Sequence, residues 1–114
     1  MENCIFCKII NKKIPGKIVY EDNEILAFED VNPQAPVHIL VIPKKHISTI
    51  LDITLDDSEI IYKIHKIINE LAQRTGCAEK GFRIVTNCNM DGGQAVYHIH
   101  FHLLGGRKMT WPPG

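Results

Sequence analysis

Three histidines, His98, His100 and His102, occupy every second position late in the chain, with Ile99, Phe101 and Leu103 between them. In a strand, this alternation sends the imidazoles to one face, over roughly 13 Å, and the apolar residues to the other. A helix would scatter the same rings around a cylinder, so the period predicts a strand over residues 97–105. Imidazole is the side chain best suited to proton transfer, nucleophilic attack and metal binding near neutral pH. Two mechanisms call for several rings on one face. Alternate histidines can hold a catalytic metal. Alternatively, one neutral ring attacks phosphorus or carbon while its neighbours orient it and neutralise charge. Directly ahead of the histidines, Asp91-Gly92-Gly93-Gln94 offers flexible backbone N–H groups of the kind that cradle a phosphate.

A second candidate lies at the other end. Cys4 and Cys7 form a C-x-x-C pair, half of a zinc site that needs two more ligands. Cys77, past a helix end, and Cys88, at a strand end, read as structural residues. His65 falls on the edge of a helical apolar stripe and reads as a boundary histidine.

The elements that must position these groups follow from patterning. Residues 4–11 suit a short N-terminal helix, broken by Ile14-Pro15-Gly16. Residues 17–21 and 24–28 read as the two strands of a hairpin turned at Asp22-Asn23. Prolines at 33 and 36 make 30–36 a loop. Residues 37–42, nearly all apolar and β-branched, predict a buried central strand stopped by Pro43. From Leu55 to Thr75 the apolar positions Ile60, Ile61, Ile64, Ile67, Ile68, Leu71 and Ala72 fall on one helical face. Thr54 can cap that helix and Gly76 can close it. Residues 81–86 make a further strand, and 87–95 a loop feeding the histidines. The predicted fold class is α+β: one main helix packs on a five-stranded antiparallel sheet in the order β-β-β-α-β-β, after the short N-terminal helix.

At 114 residues, with 45% hydrophobic and 23% charged residues, the chain has the size and composition of a single globular domain, 1–114. Its 13 basic and 13 acidic residues balance, which argues against a nucleic-acid binder that works by neutralising phosphates. No apolar run approaches the roughly 18 residues of a membrane span. The first residues lack the basic start and long apolar core of a signal peptide, so the expected location is the cytoplasm. The only tryptophan, Trp111, sits in a proline-rich tail, and docking onto the domain or onto a second subunit is expected of it.

The stretch from His98 to Leu104 resembles the His-φ-His-φ-His-φ-φ signature of the histidine-triad superfamily. The flanks extend the likeness over essentially the whole chain: Leu26-Ala27-Phe28, Pro33-Gln34-Ala35-Pro36, Val41 to Ser48 and Gly92-Gly93-Gln94. The ending, Leu104-Gly105-Gly106-Arg107 and then Trp111-Pro112-Pro113-Gly114, is similar to the Hint branch, the histidine-triad nucleotide-binding proteins.

This resemblance implies a HIT-like homodimer that binds purine nucleoside monophosphates and hydrolyses nucleoside phosphoramidates, without an organic cofactor, nucleic acid or membrane. The Trp111 tail is then expected near the dimer interface. It makes His100 the nucleophile that forms a nucleotidyl-histidine, His102 the contact to phosphate and leaving group, and His98 and His38 the residues that orient the nucleophile. Asn87, Gly93, Gln94 and the backbone around Ala95 would hold the phosphate, and Asp30 the ribose hydroxyls. Phe6, Ile9, Ile14, Phe28 and Val31 would wall the base pocket. Ala95 stands where many Hint proteins carry serine, so a hydroxyl donor to phosphate or leaving group is missing. The resemblance also completes the cysteine pair with His46 and His98 as a structural Zn2+ site. Two other classes stay open on the sequence: a zinc-dependent hydrolase with the triad as ligands, and a nucleotide-binding module without turnover.

Overall fold

The computed structural model describes residues 3–114. Its centre is strand β3 (Val37–Pro43), whose run of apolar residues is buried almost throughout. Helix α1 (Ile5–Ile10) and the hairpin β1 (Ile18–Glu21) and β2 (Ile25–Glu29) come before it. After it come helix α2 (Ser58–Arg74), β4 (Phe82–Val85), a short helix α3 (Asn89–Gly92) and β5 (Phe101–Gly105). The five strands form one antiparallel sheet in the order β1-β2-β3-β5-β4, so β5 returns to lie beside β3. The expected order and fold class hold.

The sheet has two unlike faces because its residues alternate. On one, Ile25, Ala27, Ile39, Val41, Phe101 and Leu103 pack against Ile64, Ile67, Ile68 and Leu71 of α2 in the main core. On the other, Leu26, Phe28, Leu40 and Ile42 meet Phe6 and Ile9 of α1 in a smaller cluster. The alternation that buries Ile99, Phe101 and Leu103 therefore turns the histidines toward the α1 side.

Three boundaries differ from expectation. The triad segment is extended, but its ladder begins only at Phe101, because β3 pairs with β5 no further than Val41–Phe101. Beyond that point the partner is a loop, where Ile99 N–H donates to the Ile47 carbonyl at 2.8 Å. The main helix starts at Ser58 rather than Leu55. Residues Leu55–Asp57 form a tighter 3-10 turn, closed by the Asp57 carboxylate accepting from Thr54 N–H at 3.0 Å. The loop 87–95 contains α3, and Gly93, in the left-handed region at φ +80°, ends it. Gly76, at φ +86°, follows α2 as expected.

Trp111 stays 81% exposed. Its ring lies under Arg83 at 5.9 Å, and Arg83 Nη2 also donates to the Thr110 carbonyl. The tail thus rests on the edge strand β4 rather than entering the core. Among the described residues no helix is long and apolar enough to cross a membrane.

Candidate active site

Each histidine of the triad is held by a different partner, and the partners settle which ring nitrogen carries the proton. A carbonyl oxygen can only accept, so a ring nitrogen facing one must donate. His100 Nδ1 donates to the His98 carbonyl at 2.8 Å, which leaves Nε2 as its free lone pair. His98 Nε2 donates to the Pro43 carbonyl at 2.7 Å, which leaves Nδ1 unprotonated.

The His102 tautomer is set through His38. Gln34 N–H donates to His38 Nδ1 at 3.0 Å, so neutral His38 carries its proton on Nε2. That Nε2–H faces His102 Nδ1 at 2.9 Å, with Asp30 Oδ2 at 3.4 Å. His102 accepts on Nδ1 and so keeps its own proton on Nε2. The triad therefore presents a lone pair on His100 beside a donor on His102.

The electrostatics agree with neutral rings. Burial pushes His102 down to about 4, with His100 and His38 beside it adding to the effect. Burial likewise lowers His100 and His38, and the Asp30 carboxylate only partly opposes it. A neutral imidazole is the form that can act as a nucleophile.

His100 and His102 open onto a cleft of about 490 Å³ between α1, β2 and the segment that follows α3. Such a volume suits a small-molecule site. Phe6, Ile9, Ile14, Phe28, Val31 and Leu40 give the cleft its apolar side, and Asp30, His100 and His102 its polar side. The Phe6 ring stands edge-on to His100 at 5.1 Å and to Phe28 at 5.4 Å, so α1 covers His100 directly. Asp30 is fixed in turn, its Oδ1 accepting from Asn32 N–H at 2.8 Å.

Of the residues expected at the nucleotide, Ala95 also lines this cleft, whereas Asn87, Gly93 and Gln94 do not. The Gln94 amide is buried and committed to the loop. It donates to the Ser48 and Val96 carbonyls at 2.7 and 3.1 Å and accepts from Asn89 N–H at 3.0 Å. Its side chain shapes the loop and leaves only backbone to face a ligand. Leu40 and Val96 escaped the sequence reading. Leu40 pairs with His102 across the ladder and so shares its face, a signal visible only once the register is known.

A second cluster lies behind His98. Cys4 precedes α1 and its sulfur accepts from Cys7 N–H at 3.3 Å, which brings both thiols to one side of the first turn. His98 Nδ1 stands 3.5 Å from Cys4 Sγ and 3.6 Å from Cys7 Sγ; His46 Nδ1 is 3.4 Å from Cys7 Sγ and 3.1 Å from His98 Nδ1. All four ligand atoms lie within 4.8 Å of one another. Metal bonds of about 2.0–2.3 Å in a tetrahedron put ligand atoms about 3.3–3.8 Å apart, close to the spacing found. The His98 tautomer, forced by Pro43, aims a lone pair into the cluster. Burial and the neighbouring Cys4 push the Cys7 thiol up to about 11, an arrangement that a bound cation would reverse. The residues fit a metal.

Asp30, His38 and His102 form another candidate group. Here the hydrogen bonds oppose a metal, because His38 Nε2 already carries the proton that its Nδ1 cannot hold against Gln34 N–H. The triad nitrogens themselves diverge: His98 Nδ1 faces the cysteines and His102 Nδ1 faces His38, while His100 borders the cleft. They do not converge on one ion.

A family model described as "Scavenger mRNA decapping enzyme C-term binding" matches residues 3–111. The chain is 45% identical over 108 residues to the purine nucleoside phosphoramidase of Escherichia coli K12, covering 95% of this chain and 91% of that one. It is 50% identical over 113 residues to a HIT-like protein of Synechococcus elongatus, covering 99% and 98%. Among solved structures, it superposes on a HIT family hydrolase from Legionella pneumophila with a TM-score of 0.97 and 59% identity, covering 98% of this chain and all of that one.

Proposed function

Because this chain belongs to the histidine-triad superfamily and is a Hint-like enzyme within it, we propose that it hydrolyses purine nucleoside 5′-phosphoramidates through a nucleotidyl-His100 intermediate. The observation that carries the reading is the tautomer of His100. With Nδ1–H held by the His98 carbonyl, Nε2 is a free lone pair on a neutral ring at the polar end of the cleft.

The base would lie among Phe6, Ile9, Ile14, Phe28 and Val31, and Asp30 would accept hydrogen bonds from the ribose hydroxyls. That placement sets the α-phosphorus before His100. His100 Nε2 attacks it, the P–N bond breaks, and the departing nitrogen takes one proton from water at the cleft mouth to leave as free amine. Positive charge grows on the imidazole as the P–Nε2 bond forms, and the His98 carbonyl stabilises it through Nδ1–H. His102 Nε2–H meets a phosphoryl oxygen, with backbone N–H groups near Ala95 on the other side. In the second step a water oxygen bonds to phosphorus, the P–Nε2 bond breaks, and the water's proton goes to solvent. Nucleoside monophosphate leaves and His100 is neutral again. Alanine at 95 removes one donor but none of these parts, so turnover is expected.

Cys4, Cys7, His46 and His98 would hold a zinc ion whose part is structural: it ties the start of α1 to the triad segment and fixes the His98 ring. The reading includes a homodimer, with Trp111 and the edge strand β4 near the interface, working in the cytoplasm. Incubation with adenosine 5′-phosphoramidate tests the activity. AMP release by the protein and not by His100→Ala, in the presence or absence of chelator, is expected. Equal release by both would refute the role of His100.

A further inference from the structure

The proposed reaction places base, ribose and phosphate but leaves the departing amine without a seat. Three further cavities adjoin the cleft. One shares Ile9 and Ile14 with it, at the end assigned to the base. Another shares Glu29 and Asp30, at the ribose. The third, of about 340 Å³, is lined by Asn3, Cys4, Ile5, Ala95, Val96 and Tyr97, and shares Ile5, Ala95 and Val96 with the cleft. This third cavity alone adjoins the end assigned to the phosphate.

Its lining has a definite chemistry. The six side chains include no carboxylate, ammonium, guanidinium or imidazole, and the Cys4 thiol among them stands in the cluster with Cys7, His46 and His98. Ile5 and Tyr97 are both large apolar groups left open, at 48% and 46% exposure. An open isoleucine and an open aromatic ring beside a reactive centre are surfaces that a ligand can cover. Ala95 forms the ridge between the two cavities, and a methyl group there holds the passage wider than any longer side chain would.

We propose that this cavity is the subsite for the leaving group, and that it selects amines bearing an aromatic or apolar substituent over amines bearing a second charge. The inference rests on the phosphoramidase reading and names its substrate class. The nucleotide lies on one side of the Ala95 ridge. The amine substituent passes over Ala95 and Val96 and packs between Ile5 and Tyr97. A cationic substituent would meet no carboxylate there and would lose hydration without compensation.

The test uses three adenosine 5′-phosphoramidates: the unsubstituted amide, the N-(2-phenylethyl) amide and the N-(4-aminobutyl) amide. The kcat/KM of each is measured with the native chain, Tyr97→Ala and Tyr97→Glu. Ratios between substrates cancel differences in active fraction, so partial misfolding of a variant does not obscure the result. The native chain should prefer the phenylethyl to the aminobutyl amide. Tyr97→Ala should lower the phenylethyl-to-unsubstituted ratio about tenfold. Tyr97→Glu should raise the aminobutyl-to-unsubstituted ratio about fivefold, since it supplies the missing opposite charge. Ratios that stay the same across the three proteins would overturn the subsite while leaving the hydrolase intact. Cleavage of none of the amides by the native chain would overturn the underlying reading, and the subsite with it.

Discussion

Replacing His38 by asparagine or by glutamine separates its two hydrogen bonds. The imidazole is buried, accepts from Gln34 N–H through Nδ1 and donates to His102 through Nε2. An asparagine oxygen reaches roughly where Nδ1 stood, so His38→Asn keeps the acceptor for Gln34 and deletes the donor to His102. A glutamine amide reaches roughly where Nε2 stood, so His38→Gln keeps the donor and deletes the acceptor. The lost donor is a hydrogen bond of net worth about 1 kcal/mol, which biases the His102 tautomer by about fivefold. The freed ring also loses its fixed aim at the phosphoryl oxygen, and removing one fully placed donor of that kind costs about 100-fold or more in kcat. His38→Asn should therefore lower kcat by about 10- to 100-fold, with unfolding free energy changed by no more than about 1 kcal/mol. His38→Gln should keep kcat within about fivefold and lose about 1–2 kcal/mol of stability, because the Gln34 N–H is left unpaired. Steady-state AMP release and urea denaturation of the two variants read both quantities. Native-like kcat in His38→Asn, or the larger kcat loss in His38→Gln, would refute the tautomer argument.

Four other expectations can be checked by metal content, activity and stability. Protein purified without chelator should carry about one zinc per chain, and Cys7→Ser should lose it together with several degrees of thermal stability. Full stability and no metal in both proteins would count against the site. Because burial holds His38, His100 and His102 below the ordinary imidazole value, kcat should stay flat as pH falls through 6.5. The same depression has a sign for stability. The unfolded chain binds the proton first, so these residues stabilise the fold above pH 6.5 and the contribution fades as pH falls toward about 4. For His102, which is partly exposed, the loss is on the order of 2 kcal/mol after allowing for solvent screening, and denaturation at a series of pH values measures it. Finally, a Cβ at Gly105 would lie 2.6 Å from Cys77 Sγ and 2.7 Å from its Cβ. Gly105→Ala should cost about 1–3 kcal/mol by overpacking, and Cys77→Gly in that background should recover part of it.

Periodicity carried the framework. The apolar run of β3, the stripe of α2 and the alternation around the triad all reach the structure as expected, because each reports a buried face directly. The alternation even outlasted its strand: Ile99 is buried and His98 and His100 lie on the opposite side, although the ladder starts at Phe101. Side-chain pattern follows extended backbone, whereas the ladder needs a neighbour, and β3 turns away at Pro43. The short α3 gave no signal because four residues between glycines and asparagines show no period. Gln94 shows a different gap. Its neighbours mark it for a phosphate, yet its amide is spent on three backbone groups that only the fold brings near. The tautomers of the histidines were equally out of reach, since each is set by a carbonyl or N–H whose approach depends on the folded backbone: Pro43 for His98, Gln34 for His38. The four residues of the proposed metal site come from the first turn of α1, the turn after β3 and the triad segment, and close contact among them emerges only on folding.

The covalent step at His100 can be trapped directly. The protein is mixed with adenosine 5′-phosphoramidate, quenched within one turnover and digested, and the peptide spanning residues 98–102 is weighed. An adenylyl group on His100 that decays as AMP appears, and that is absent from His100→Ala, is the predicted result. Multiple turnovers of AMP with an unmodified His100 peptide at every quench time would contradict it, and would assign the chemistry to direct attack by water.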